Sequence, residues 1–181
     1  MSNALHIELP DFLARANATP TVLAAPEARM RFVLDLARDN LAAGGGPFEA
    51  AVFERDSGRL LAAGVNRVVA SRCSSAHAEI LALSLAQARL GSHDLGASGL
   101  PACELVTSAE PCMMCLGAVL WSGARHLVCA ARGEDVVALG FDEGPRPANW
   151  IDELQARGIS VATDLLRDEA CAILRSYHKA G

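Results

Sequence analysis

The sequence is poor in lysine. Of 16 basic residues in the 181-residue chain only Lys179 is a lysine, and 21 acidic residues leave a net charge of −5. A broad nucleic-acid-binding face needs a basic surplus, so the balance argues against one, though not against a local basic patch. No run of about 18 apolar residues occurs, which excludes a membrane-spanning helix. Met1 to Pro10 lacks the charged start and long apolar core of a signal peptide. Internal repeats and low-complexity tracts are also absent. The expected compartment is the reducing cytoplasm, where thiols stay free. With 51% hydrophobic residues the chain is neither disordered nor a small disulfide-stapled domain, and one domain of this size buries a sizeable core unaided.

What the chain has in quantity is cysteine, six residues. In an acidic chain without a signal segment they point to metal binding or core packing rather than disulfides. Turn residues divide the rest. Residues 1–25, punctuated by Pro10 and Pro20, read as an arm, and residues 26–181 as one domain. Pro26 opens a helix ended by Gly44-Gly45-Gly46-Pro47, and Phe48 to Phe53 reads as a strand. Asp56-Ser57-Gly58 turns the chain into a partner strand, Leu60 to Val65. After a polar loop over 66–76 come a helix over Ala78 to Leu90, a strand over Cys103 to Thr107 and a helix opened by Pro111 and running to about Trp121. A strand over His126 to Ala131, a Gly/Pro loop over 140–149, a helix over Asn149 to Arg157, a strand over Ile159 to Thr163 and a helix over Leu165 to Tyr177 complete the chain. This order predicts an α/β fold with a sheet covered on both faces and its last three strands parallel.

Two clusters carry chemistry: His77-Ala78-Glu79 and Pro111-Cys112-Met113-Met114-Cys115, each where a helix begins. Cys112 and Cys115 are three apart and share a side of the first helical turn. Thiolates there are favoured by the positive end of the helix dipole. His77 and Glu79, two apart, would diverge in mid-helix but converge beyond an open helix end. Facing helix starts would set His77, Cys112 and Cys115 around one zinc ion. Three ligands leave a position for water, which is the catalytic rather than the structural arrangement, and Glu79 is then a nearby proton carrier. Taken alone, C-x-x-C serves equally well as a redox pair, and H-x-E is common at exposed helix starts. The joint pattern H-x-E…P-C-x-x-C is the known zinc-deaminase signature. Cys73, Cys103, Cys129 and Cys171 read as small buried residues, and His6, His93, His126 and His178 as surface or structural.

Ala76-His77-Ala78-Glu79-Ile80 with Ser108-Ala109-Glu110-Pro111-Cys112-Met113-Met114-Cys115-Leu116-Gly117-Ala118 resembles the cytidine-deaminase-like zinc enzymes over residues 27–178. Within that superfamily the chain is most similar to the bacterial guanine deaminases. Gly45-Gly46-Pro47-Phe48, Asn66, Trp121 and Gly140-Phe141-Asp142-Glu143-Gly144-Pro145 carry this finer likeness. The resemblance implies a three-layer α-β-α sandwich on a five-stranded mixed sheet, one Zn²⁺ per chain and a homodimer. It also implies zinc-assisted attack of water on C2 of guanine, giving xanthine and ammonia, with Glu79 moving the proton. Asn66 would bond the base edge, Phe48 and Trp121 would pack on the ring, and Tyr177 would lie on a lid. Of the loop acids, Glu143 is favoured as the substrate contact and second proton carrier, with Asp142 behind it. Alternatives are another small amino-heterocycle (cytosine, or a triazine such as ammeline), adenosine in tRNA, and a zinc module without catalysis. The last would need a fourth ligand such as Cys73 or His126. The acidic balance disfavours RNA, and no membrane partner is expected.

Overall fold

The sheet is assembled from strands that are mostly apolar and, in the first four, buried at almost every position, as strands covered on both faces are. A computed structural model describes residues 6–180, with side chains as far as Tyr177; residues 1–5 and 181 lie outside it. The elements are α1 (Asp11–Ala18), α2 (Pro26–Ala42), β1 (Glu49–Glu54), β2 (Leu60–Val65), α3 (Val68–Ser71), α4 (Ala78–Leu90), β3 (Cys103–Ala109), α5 (Met113–Ser122), β4 (His126–Ala131), α6 (Gly133–Val137), α7 (Trp150–Gln155), β5 (Ser160–Ala162) and α8 (Arg167–Ala180). Strand order is β2-β1-β3-β4-β5. β1 runs antiparallel to β2 and β3, while β3, β4 and β5 are mutually parallel, as the alternation of strands and helices predicts.

Successive strand residues point to opposite faces, and the core divides accordingly. Phe53, Val106 and Val128 pack under Leu13 of α1, Met30 of α2 and Leu174 of α8. Val52, Leu105 and Leu127 pack under Ala82 of α4, Val119 of α5 and Trp150 of α7. The result is an α-β-α sandwich. No described helix is long and apolar enough to cross a membrane.

Several boundaries depart from the sequence expectation. Segment 11–18 is helical: Leu13 is fully buried, and the Asn17 amide both donates to Ala63 O (3.1 Å) and accepts from Ala63 N (2.6 Å). A side chain thus stands in for a strand partner along the edge strand β2, which blunts that edge. α5 starts at Met113 with Cys112 as its N-cap, so Pro111 precedes the helix rather than opening it. α8 starts at Arg167 because Asp164 (φ 67°) and Leu166 (φ 57°) are left-handed. The one-turn helices α3 and α6 have no counterpart in the sequence reading. Gly64 has a packing reason: a Cβ there would collide with Ala78 O and Ala82 N, so its absence lets α4 lie directly on β2. That contact fixes the start of α4 at the edge of the sheet where β3 and β4 end.

Candidate active site

His77 is the N-cap of α4 and Cys112 the N-cap of α5, both extended in backbone and neither making a side-chain cap bond. Their side chains are free to turn toward each other. His77 Nδ1 lies 3.6 Å from Cys112 Sγ and 3.5 Å from Cys115 Sγ, and the three ligand atoms fall within 4.8 Å of one another. Tetrahedral zinc with ordinary Zn–S and Zn–N lengths sets such S···N pairs about 3.6 Å apart. The cluster therefore has the dimensions of a zinc site before any ion is added, and two thiolates with a neutral imidazole balance its charge. Cys115 and His77 beside it hold the Cys112 thiol down at about 4, while Cys112 and burial push Cys115 up. The Cys112 thiolate in turn raises His77.

No fourth ligand joins this group among the described residues. His126 Nδ1 is paired with Ser160 Oγ at 2.6 Å, and Cys73 Sγ lies 3.3 Å from Ser75 Oγ. Cys103, Cys129 and Cys171 are buried free thiols, as expected; Cys73 is not, because it sits half-exposed just beyond α3. His6 and His93 are exposed, and the side chain of His178 lies outside the described residues.

Beside the cluster opens a cavity of about 340 Å³. Glu79, in the first turn of α4, is buried at its floor, and that burial raises its carboxyl pKa. One wall is the Gly44–Phe48 segment and another is Asn66 with α3. Asn66 is anchored by its N–H to Phe48 O (2.9 Å), and its Oδ1 accepts from Val68 N (3.2 Å). The Asn66 Nδ2 makes no bond among the described residues. Phe48 meets Phe141 edge to face (5.0 Å, 81°), and Phe141 stacks on Tyr177 of α8 (6.1 Å, 26°). Three aromatic rings thus run along one side of the cavity, with Tyr177 as the contribution of the C-terminal helix. Phe141 was quoted in the sequence only as part of a motif.

Asp142 and Glu143 both line the cavity but differ in posture. Asp142 is exposed, and its Oδ1 accepts from Gly144 N (2.9 Å). Glu143 is half-buried, and its carbonyl accepts from Met113 N (3.0 Å), docking the loop on the start of α5. Burial, with Cys112 and Glu79 nearby, raises the Glu143 carboxyl to about 7. Arg146 secures the same loop: it donates to Glu110 Oε2 (2.7 Å) and Pro111 O (3.1 Å), while Glu110 also accepts from Gly133 N (2.9 Å). Glu110 belongs to the segment that carries the family resemblance, whereas an arginine in a polar loop such as Arg146 carries no signal in the sequence.

Trp121 does not join these residues. It is 87% exposed at the far end of α5 and takes no part in the cavity. Nine residues of helix separate it from Cys112, about 14 Å at 1.5 Å per residue.

Residues 24–131 match the family described as the cytidine and deoxycytidylate deaminase zinc-binding region. The guanine deaminase of Bacillus subtilis (strain 168) is 38% identical over 118 residues, 65% of this chain and 71% of that protein. Among solved structures, one of a guanine deaminase from Nitrosomonas europaea superposes with a TM-score of 0.97 at 72% identity, covering 99% of this chain and 98% of that one. A structure of NE0047 in complex with 2,6-diaminopurine has a TM-score of 0.99 at 71% identity, covering 100% and 96%.

Proposed function

The chain belongs to the cytidine and deoxycytidylate deaminase zinc-binding family, and from that premise we propose that it hydrolyses guanine to xanthine and ammonia. The observation that carries the reading is the pairing of two carboxyls, Glu79 and Glu143, across a ring-lined cavity that opens on the His77, Cys112 and Cys115 cluster. Full-length likeness to a solved guanine deaminase supports the choice of base.

A zinc ion held by His77, Cys112 and Cys115 supplies the Lewis acidity that makes a water molecule nucleophilic near neutral pH. Glu79 accepts the proton released from that water and delivers it to the ring nitrogen beside the amino-bearing carbon. Guanine offers donors at N1 and at its exocyclic amine, and a carboxylate is the natural acceptor for them. Glu143 takes that part, and with a carboxyl near 7 it can also return a proton to the departing amine. Asn66 bonds the base edge, Phe48 packs on the ring system, and Tyr177 closes over it from α8. The acidic balance of the chain supports a free base over RNA. Met113, Met114, Leu120 and Trp121 expose apolar surface along α5, which supports a homodimer through that face. Free, unpaired cysteines support a cytoplasmic enzyme of purine metabolism.

The test is ammonia release from guanine, cytosine, adenine, their nucleosides and amino-triazines. Guanine is expected to be turned over fastest, and Glu79→Ala to retain zinc while losing activity. Turnover confined to nucleosides would overturn the substrate, and an active Glu79→Ala variant would overturn the mechanism.

A further inference from the structure

β1 begins with a glutamate, Glu49, that points into the interior. Glu49 is fully buried, and neither of its carboxyl oxygens meets a donor in good hydrogen-bond geometry, although the Ser108 hydroxyl and the Asn40 amide stand beside it. Around it stand Ser108 from β3, Asn40 from α2 and Glu79 from α4, while its register partner on β2, Val65, is apolar. Glu79 alone among these titrates, and its charge has the same sign. A buried carboxylate with no counter-ion is costly enough that the group takes up a proton instead. Burial first, and then Glu79, push the Glu49 carboxyl up, and they outweigh the opposing pull of the Ser108 hydroxyl and the Asn40 amide.

Asn40 shows where that proton goes. Its Nδ2 is committed to two backbone carbonyls, Gly46 O at 2.8 Å and Asn66 O at 3.2 Å. The amide is therefore oriented, and its Oδ1 is left buried without a donor. The Asn40 amide stands beside the Glu49 carboxyl, and with both Nδ2 hydrogens committed elsewhere only its Oδ1 is left to face it. Two orphan acceptors at one point are reconciled by a single proton, the O–H of a neutral Glu49 donating to Asn40 Oδ1. Gly45 leaves room for the arrangement, since a Cβ there would collide with the Asn40 amide.

We propose that Glu49 is a positioning residue carried as a neutral carboxylic acid, which bonds Asn40 Oδ1 and so holds the Asn40 amide against Gly46 and Asn66, the two walls between which the base binds. The part concerning the base rests on the function proposed above; the protonation state of Glu49 does not. Ionised in alkali, Glu49 would set a negative carboxylate against an amide oxygen and against Glu79, and the two walls would loosen.

The experiment uses the zinc-loaded full chain as wild type, Glu49→Gln and Glu49→Leu. The infrared difference between wild type and Glu49→Gln at neutral pH is expected to show the carbonyl band of a protonated carboxylic acid; carboxylate bands in its place overturn the proposal. With guanine as substrate, Glu49→Gln supplies an N–H to Asn40 Oδ1 and is expected to keep a wild-type KM. Glu49→Leu strands a buried acceptor and is expected to raise KM about tenfold while kcat changes little. In alkaline buffer the wild-type KM is expected to climb and that of Glu49→Gln to stay flat. Equal KM values for the Gln and Leu variants, or parallel alkaline profiles for wild type and Glu49→Gln, overturn the positioning role. If Glu49→Leu does not fold, the infrared band and the two alkaline profiles still decide. A wild type inactive on guanine would count against the proposed function, and the infrared result would still stand for or against a neutral Glu49.

Discussion

Neighbouring acids in the loop after β4 have different work. The Asp142 carboxylate closes a turn on Gly144 N, a bond that an amide oxygen makes equally well. Glu143 is half-buried in the cavity wall with a carboxyl near 7. Glu143→Gln is therefore expected to lower kcat by about 10²–10⁴ with zinc content unchanged, and Asp142→Asn to stay near wild type. Metal analysis alongside steady-state rates checks both, and near-normal turnover in Glu143→Gln would remove it from the chemistry. At this scale the grouping of His77, Cys112 and Cys115, with Glu79 beside them, was legible in the sequence, because each cluster is local and each marks a helix start. Phe141, Arg146 and Glu49 were not. Phe141 meets the cavity only through packing with Phe48 and Tyr177. Glu49 is hidden within a strand-like run, and its significance depends on Asn40, which is close only after folding. Trp121 came from the family resemblance alone, and within this chain it stands at the far end of α5 from the cysteines.

Elements bounded by turn chemistry were legible to the residue: β2 between Gly58 and Asn66, α4 ended by left-handed Gly91, and β4 after left-handed Gly123. α6 was missed because five residues beginning with glycine offer no periodicity. It is held instead by ionic contacts made across the fold. Asp135 accepts from Arg132 N at 2.8 Å, and Arg167 of α8 donates to both of its oxygens at 2.8 Å. These bonds hold the Asp135 carboxyl down at about 2. A carboxyl lower in the folded chain than in the unfolded one, near 3.9, stabilises the fold above that value and loses its contribution as pH falls toward 2. Because the pair is only partly buried, with side chains 30% and 22% exposed, Asp135→Asn is expected to cost about 1 kcal/mol at neutral pH. The cost should shrink to about half near pH 3. Urea midpoints across that range check it, and a gap independent of pH would assign the loss to packing.

Across the whole molecule, the ligands arrive where β3 gives way to α5 and where the loop after β2 gives way to α4, the edge of an α/β sheet at which ligands ordinarily bind. The parallel order and two-sided covering followed from the alternation of strands and helices. The packing of α1 on the edge strand did not, since it depends on one asparagine matching a strand backbone. His77 and Cys112 stand at helix starts that lack side-chain caps, 35 residues apart along the chain. An ion gripping both closes that span much as a disulfide would, a constraint worth about 4 kcal/mol on chain-entropy grounds. Chelation is therefore expected to lower the melting temperature as well as abolish turnover. The first protease nicks should fall at 66–77 and 110–115, with the opposite side of the sheet still intact. Metal content thus governs shelf life: a stored preparation that sheds its ion becomes digestible at two seams before it loses its architecture.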